Sequence, residues 1–579
     1  MEKPCQVQDY SLRKNARYGA GYFLLYLLFF MAQQPSGPVI CSPFWAAWLS
    51  WLPVLFFLFP LFFRVDSVKD GNFKSMNQTI KTGRLAIIGA SLLALFLGAM
   101  DALVISAAMP TIITELGGLH LYAWVYSAYF LARAVALPVF GKLCDLFNTK
   151  RLFLFSIGLF ILSSMAAGAA PSMAFLIAAR VFQGIGAGGI FALVYIVLSD
   201  ISLPGQRAKT LSFASSIWGI SSIIGPTLGG FIVTYFSWRW IFYINMPLGV
   251  LSFVGISLYL KEFREKKKTI FLDISGVIFL SGFVLALLTL FITGGREFEW
   301  GSWPIMSLSF VTLIFGAGFY LAEKRAKDPI LDLRFFRHKR FAYGNLASFF
   351  SSFSIFALFA YAPLFLQGAL EQTPMQVGWA MLSLSLGWSM GSLVLGRIMG
   401  KGGAKTAALA GGLLMVAGSA LTFGFTLTTT MVHSFIVFLV MGLGMGFITL
   451  STLIVVQESL SKKDLGVATS FHQFSRTFGG TIGVGICGGL ATSGLLNRLE
   501  ETSHVLNPQL LAQLRESMEN LFKPEFTALM TQSARQVLQE AVLKGVSSIF
   551  LIVLISSILG FVCCLLLPGE SGQKNKQTF

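Results

Sequence analysis

From Leu85 onward the chain alternates long apolar runs with short polar breaks, and a bilayer-crossing helix needs about 20 mostly apolar residues. The first six runs cover residues 85–113, 122–141, 152–170, 173–199, 211–235 and 240–260. A charged stretch, 261–268, separates them from runs at 271–293 and 303–321. After a second charged stretch, 323–340, come six more at 341–367, 377–399, 406–428, 432–457, 466–493 and 546–567. The pattern predicts an all-α polytopic membrane protein with fourteen spanning helices grouped six, two and six. Two similar six-helix bundles joined by an inserted helix pair are therefore expected.

The expected divisions are an N-terminal extension (1–83), a first bundle (84–268), a linker pair (269–324), a second bundle (325–568) and a short tail (569–579). Two segments depart from the repeat. The extension holds two apolar stretches, 18–31 and 44–63, flanked by Arg13, Lys14 and Arg17 before and Arg64, Lys69 and Lys74 after. That charge pattern permits an extra membrane hairpin, although the first arm is short and 33–38 breaks it. An upstream translation that function does not need is the other reading, and a cleaved signal peptide lacks a small-residue cleavage site. Within 494–545 lies a polar outer connection whose Leu506, Leu510, Leu511, Leu514, Met518 and Leu521 suit either an amphipathic cap or a flexible loop.

Composition agrees with a membrane protein. The 579 residues are 55% hydrophobic and 12% charged, against about 25% charged in an ordinary soluble chain. The net charge of +17 raises the question of nucleic acid, and the position of the basic residues answers it. Lys142, Lys150 and Arg151, then Arg207 and Lys209, then 261–268, 324–340, Arg397 with Lys401 and Lys405, and Lys462 with Lys463 occupy every second loop. The loops between them are poor in Lys and Arg, so the positive-inside rule places both ends of the fourteen-helix unit in the cytoplasm. The six scattered cysteines show neither a disulfide framework nor zinc-ligand spacing, and no metal site or cofactor is expected.

Four local patterns carry the chemistry. Between runs two and three stands Gly141-Lys142-Leu143-Cys144-Asp145, followed by Asn148, Lys150 and Arg151. Run four holds Arg180-Val181-Phe182-Gln183-Gly184-Ile185-Gly186-Ala187-Gly188. Run five holds Gly219 and then Gly225-Pro226-Thr227-Leu228-Gly229-Gly230, and run one holds Met100-Asp101 and ends at Met109-Pro110. Taken together over about residues 85–567, these patterns resemble the major facilitator superfamily, specifically its fourteen-helix drug:proton antiporters of the EmrB/QacA type. Trp238-Arg239-Trp240, Asn245-Met246-Pro247, Gly466-Val467-Ala468-Thr469 and Arg476-Thr477-Phe478-Gly479-Gly480 add to the resemblance. Asn148 stands where the family usually has glycine, and the matching second-half loop, 396–401, lacks the acidic residue.

The resemblance implies proton-coupled export of small amphipathic toxic compounds by alternating access, with antibiotic resistance as a consequence. It implies a bacterial inner membrane, and an envelope-spanning adaptor is a family-level partner. Asp145, with Gly141 and the loop bases Lys150 and Arg151, is expected to form a conformational latch on a neighbouring helix N-terminus; a solvated loop carboxylate is the simpler alternative. Gly219, Gly225, Pro226, Gly229 and Gly230 form the antiporter signature, and they also suit an ordinary bent packing helix.

Counted at 1.5 Å per residue, Asp101, Arg133 and Arg180 each lie roughly 14–18 Å from the outer ends of their helices. Ionisable groups at that depth are costly and often functional. Asp101 is the acidic residue well inside the first half, so it is the candidate proton carrier; its alternative is a structural partner for an arginine. Arg180 has the family role of tuning that carboxylate. Arg133 is open to three readings: pairing with Asp101, recognising an anionic group, or contacting helix thirteen. Arg476 is also mid-membrane, as cavity wall or packing group, and His472 suits a packing hydrogen bond. Trp218, Asn345, Tyr361 and Gln367 complete the candidate cavity.

Two matches mislead. Gly184 to Gly189 satisfies GxGxxG inside an apolar helix with no preceding strand, which excludes a dinucleotide site. Residues 396–402 lack the Ser/Thr and spacing of a phosphate loop. A transporter rather than an enzyme is the expectation. The rivals are a metabolite or organic-anion facilitator of the same fold and a non-transporting receptor or scaffold.

Overall fold

The apolar runs become helices in the computed structural model, which describes residues 73–105, 108–117, 121–203, 205–261, 273–295, 298–501 and 532–569. In chain order they are α1 (Phe73–Val104), α2 (Met109–Leu116), α3 (Tyr122–Leu146), α4 (Thr149–Gly168), α5 (Met173–Asp200), α6 (Arg207–Tyr235), α7 (Trp240–Tyr243) and α8 (Asn245–Tyr259). The linker pair is α9 (Ile274–Thr293) and α10 (Trp303–Arg325). The later helices are α11 (Lys339–Leu364), α12 (Pro374–Gly402), α13 (Ala404–Leu421), α14 (Met431–Ser459), α15 (Leu465–Glu501) and α16 (Gln532–Leu565). Among the described residues the β-structure is an isolated bridge between Gly294 and Phe298, in the turn joining α9 to α10.

Among the described residues twelve helices are long and apolar enough to cross a membrane, thirteen if the bent α6 counts as one span. Apolarity of the described residues alone does not confirm the expected count of fourteen. The helix outside that set, α15, is long at 37 residues but carries His472, Gln473, Ser475, Arg476 and Thr477 in succession with intervening Phe474. Its polar side chains are buried rather than lipid-facing: His472, Gln473 and Arg476 are each at most 2% exposed.

Three boundaries differ from the hydropathy pattern. Run one is not continuous, because α1 stops at Val104 and a separate eight-residue helix starts at Met109 with Pro110 in its first turn. Proline suits a helix start and cannot continue an existing helix. Run five bends by 41° between Arg207–Ser222 and Thr227–Tyr235, at Gly225-Pro226, where proline removes a backbone donor. The outer connection is shorter than 494–545, since α15 continues to Glu501 and α16 already begins at Gln532; 502–531, with the proposed cap, lies outside the described residues. So does the N-terminal hairpin.

Contacts divide the chain into the units Met1–Thr82 and Gly83–Phe579. In the first, the structure describes helical backbone at 73–82. Within the second, the packing repeats. Helix α5 sits between α3 and α4, and α14 sits in the same way between α12 and α13. Both central helices use glycine at three alternate positions. A Cβ on Gly184 or Gly188 would strike the α3 backbone and one on Gly186 would strike α4. The corresponding Gly442 and Gly446 meet α12, and Gly444 meets α13. Small residues let helix backbones approach where lipid supplies no hydrophobic drive between helices. The GxGxxG match of run four is thus a packing device.

The two sets of helices meet along α6–α12 and α3–α15, and α9 lies against both α3 and α15. Burial follows this arrangement: 83% of the apolar window of α5 is buried, against 11% for α10. The first is a central helix and the second offers nearly its whole surface to lipid.

Candidate functional site

Asp101, near the end of α1, is 1% exposed, and both its oxygens are engaged. Arg180 Nη1 of α5 donates to its Oδ2 at 2.6 Å. Gln183 Nε2, one turn further along α5, donates to Oδ1 at 2.9 Å, and Asn245 Nδ2 of α8 donates to the same oxygen at 2.7 Å. Asn245 Nδ2 also reaches Ser164 Oγ at 3.0 Å, and that hydroxyl donates to the Phe242 carbonyl at 2.9 Å. The Arg180 guanidinium lies 4.1 Å from the centre of the Tyr129 ring, and Tyr129 Oη donates to the Gly98 carbonyl. Three helices, α1, α5 and α8, therefore meet at one carboxylate. A buried ion pair whose acid accepts further hydrogen bonds is the arrangement that offsets desolvation.

Arg133, one helical turn from Tyr129 on α3, takes no part in that pair, and its pairing with Asp101 is excluded in this conformation. It is 4% exposed, and its Nε and Nη1 have no hydrogen-bond partner. Its guanidinium instead lies among the rings of Phe130, Phe191 and Trp218, at 4.7, 5.0 and 5.8 Å. Arg476 of α15 approaches the same indole from the second set of helices, 5.2 Å from Trp218 and 5.9 Å from Trp388. It is 2% exposed, and its Nη1 is likewise unpartnered. The two indoles are nearly parallel, 4° apart in plane with centres 6.4 Å apart. Both amide atoms of Gln473 are buried without partners. His472 hydrogen-bonds Thr452 at 2.9 Å, a packing contact between α15 and α14.

The other cavity candidates are placed differently. Asn345 donates to the Phe341 carbonyl within its own helix, Tyr361 donates to the Val484 carbonyl of α15, and Gln367 sits in the π-helical turn Phe365–Ala369 that ends α11. From α11 it is Phe356 that reaches the indoles, 6.3 Å from Trp388.

At the end carrying the basic loops, Asp145 accepts from the backbone N–H groups of Gly466 and Val467, both at 3.0 Å. These are among the first residues of α15, so a carboxylate caps the positive end of a helix from the other set. Gly141 makes this approach possible: a Cβ there would lie 1.7 Å from Ser470 Oγ and 2.8 Å from the Gly466 carbonyl. Asn148 in the glycine position caps α4, accepting from the Arg151 N–H at 2.9 Å. Arg151 is exposed and Lys150 half-buried. The basic residue recruited here is Lys142, which donates to Asp328 at 2.7 Å and to the Pro329 carbonyl at 2.6 Å, tying the loop to the segment after α10.

Along α6, Gly219 faces α12 so closely that a Cβ would meet Ser389 Oγ at 1.8 Å. Serine pairs 215–392 and 222–385 bridge the same two helices, each at 2.6 Å. Gly225 packs on Leu103 of α1, Pro226 lies in the bend, Gly229 is buried, and a Cβ on Gly230 would meet nothing within 4 Å. Gln183 and Asn245 stand in motifs visible in the sequence, yet their contact with Asp101 requires three helices to meet. Ser164, Trp388 and Gln473 carried no sequence signal beyond polarity or aromaticity within apolar runs.

The comparisons with known proteins agree with this architecture. Residues 91–484 match the model of the Major Facilitator Superfamily. The chain is 33% identical over 425 residues to the multidrug transporter protein MdtP of Bacillus subtilis, covering 73% of this chain and 78% of the relative. Multidrug resistance protein 3 of the same organism is 28% identical over 82% of this chain and 93% of its own. The efflux pump dotC of the fungus Dothistroma septosporum is 29% identical over 76% of each. Among solved structures, the human organic anion transporter MFSD10 aligns with a TM-score of 0.56 at 14% identity, covering 84% of this chain and 99% of its own. The proton:xylose symporter XylE aligns at 0.54 and 13%, covering 84% and 96%. A family model spanning most of the chain, relatives named as a multidrug transporter and an efflux pump, and a shared helical fold lead to one conclusion: this multi-pass membrane protein belongs to the Major Facilitator Superfamily.

Proposed function

We propose that the chain is a proton-coupled exporter of small amphipathic toxic compounds, of the fourteen-helix EmrB/QacA type, working by alternating access between two bundles in a bacterial inner membrane. The bundles are 84–268 and 325–568, with 269–324 as the inserted pair and both ends of the unit in the cytoplasm. The observation that carries this reading is the enclosure of Asp101 by Arg180, Gln183 and Asn245. A proton arriving on Asp101 cancels the charge that holds Arg180 and turns one acceptor oxygen into a donor. The helices then lose the contact that unites them, so protonation and helix position are linked.

Asp145 on the first turn of α15 supplies the second part. With the basic loops cytoplasmic, this contact would hold the inner side closed. Its release would allow substrate to enter from the cytoplasm.

Asp101→Asn tests the reading in proteoliposomes and in a toxicity panel on cells, each with the proton gradient intact and collapsed. Gradient-driven export falls to background while substrate binding persists. Full export in the variant contradicts the assignment.

A further inference from the structure

Resting on the exporter reading above, we propose that the arginine pair between the two sets of helices is a clamp for the anionic head of the substrate. The expected ligand is an amphipathic acid, a carboxylate or sulfonate on an aromatic or apolar body. Arg133 and Arg476 come from α3 and α15, on opposite sides of the interface, and both guanidiniums address the Trp218 ring. Both are almost completely buried, and together they leave three guanidinium nitrogens without a partner. Among the described residues neither forms an ion pair.

Burying an unpaired cation is costly, and aromatic faces compensate it only in part. Arg180 shows what this same chain does when an arginine has an internal duty: it supplies a carboxylate and an amide oxygen, 2.6 and 2.8 Å away, both on Nη1. Its Nη2 lacks a partner, but its charge is matched. The unfilled donors at Arg133 and Arg476 have no such matching charge, and beside the unpartnered amide of Gln473 they fit an acceptor that arrives with the ligand. A planar fork of N–H donors suits a carboxylate or sulfonate. The body of the ligand has its own surfaces in Trp218, Trp388, Phe191 and Phe356, whose rings neighbour one another. A cationic ligand would meet two like charges here, and Asp101, enclosed at 1% exposure, offers it no counter-charge. Because the clamp draws one arginine from each side, an anion bound between them favours approach of α3 and α15.

The test uses the full chain. Cells with and without it are challenged with matched amphipathic toxicants, each as an acid, a neutral amide and an amine. The proposal expects protection concentrated on the acids, reduced at least tenfold by Arg133→Gln or Arg476→Gln, partly restored by Lys at either position, and unchanged or increased for amines in the Gln variants. On purified protein, 2-naphthoate raises the thermal midpoint and 2-naphthamide at equal concentration does not, and the difference disappears in Arg133→Gln. Should a Gln variant fail to fold, the Lys variants and the charge preference of the unaltered protein still decide. Protection confined to neutral compounds or amines, yet dependent on Asp101, overturns the clamp and leaves the exporter reading standing. Protection against none of the three classes, with Asp101→Asn indistinguishable from the unaltered protein, overturns the exporter reading and the clamp with it.

Discussion

Arg180 and Arg133 lie on adjacent helices, equally deep and almost equally buried, and they differ in what surrounds them. Arg180 has Asp101 and Gln183 within hydrogen-bond distance, whereas Arg133 has aromatic faces and two idle nitrogens. The first is part of a charge-balanced network inside one set of helices. The second belongs to the interface between sets, where a fixed internal partner would hinder the motion of one side against the other. Depth in the membrane therefore does not assign a role; the presence or lack of a matching charge does.

The largest expected effect comes from breaking the balanced network. Arg180→Gln leaves Asp101 buried without its cation and should cost about 3–5 kcal/mol, read as lost thermal stability in detergent. The double variant Asp101→Asn with Arg180→Gln should recover much of that, because no unpaired charge remains. Arg133→Gln should be neutral or stabilising by the same measurement, since it removes an unpaired buried charge. Equal losses at 180 and 133 would break the comparison.

Next in size is the contact at α15. Asp145→Asn keeps one carbonyl oxygen for one of the two N–H groups and sets an NH2 donor against the other, so it should shift the equilibrium by about 1–3 kcal/mol. Gly141→Val should displace α15 outright, given the Ser470 contact. Cys144, fully buried beside both positions, reports the change: its alkylation by a maleimide should quicken several-fold in either variant, and an unchanged rate would argue that the contact bears no part in closure. The smallest effect belongs to Lys142→Met. Its ion pair with Asp328 is mostly buried, with side chains 10% and 17% exposed, so a stability loss of about 1–2 kcal/mol is expected, and a larger loss would move this contact into the latch proper.

Hydropathy located the helices well because lipid demands long apolar segments whatever their neighbours. It failed where a local rule intervened or where the polar side chains face inward. Pro110 divides run one, and α15 is too polar for its length because its polar face is buried against other helices. The candidate site was legible as a layer: Asp101, Arg133 and Arg180 follow from rise per residue alone. Which arginine meets the acid was not, since that depends on the rotation of α3 and α5 about their axes. Asp145 could be marked as a helix-capping acid, but its partners lie 321 and 322 residues away in sequence, beyond any periodicity.

The sequence by itself determined that this chain is a membrane-embedded bundle of helices with a few expensive charges at mid-depth, because the cost of a polar group in lipid acts on each segment separately. Only the tertiary structure decided which charges are spent on each other and which stand open, because hydrogen-bond geometry is satisfied or missed over fractions of an ångström between helices from distant parts of the chain.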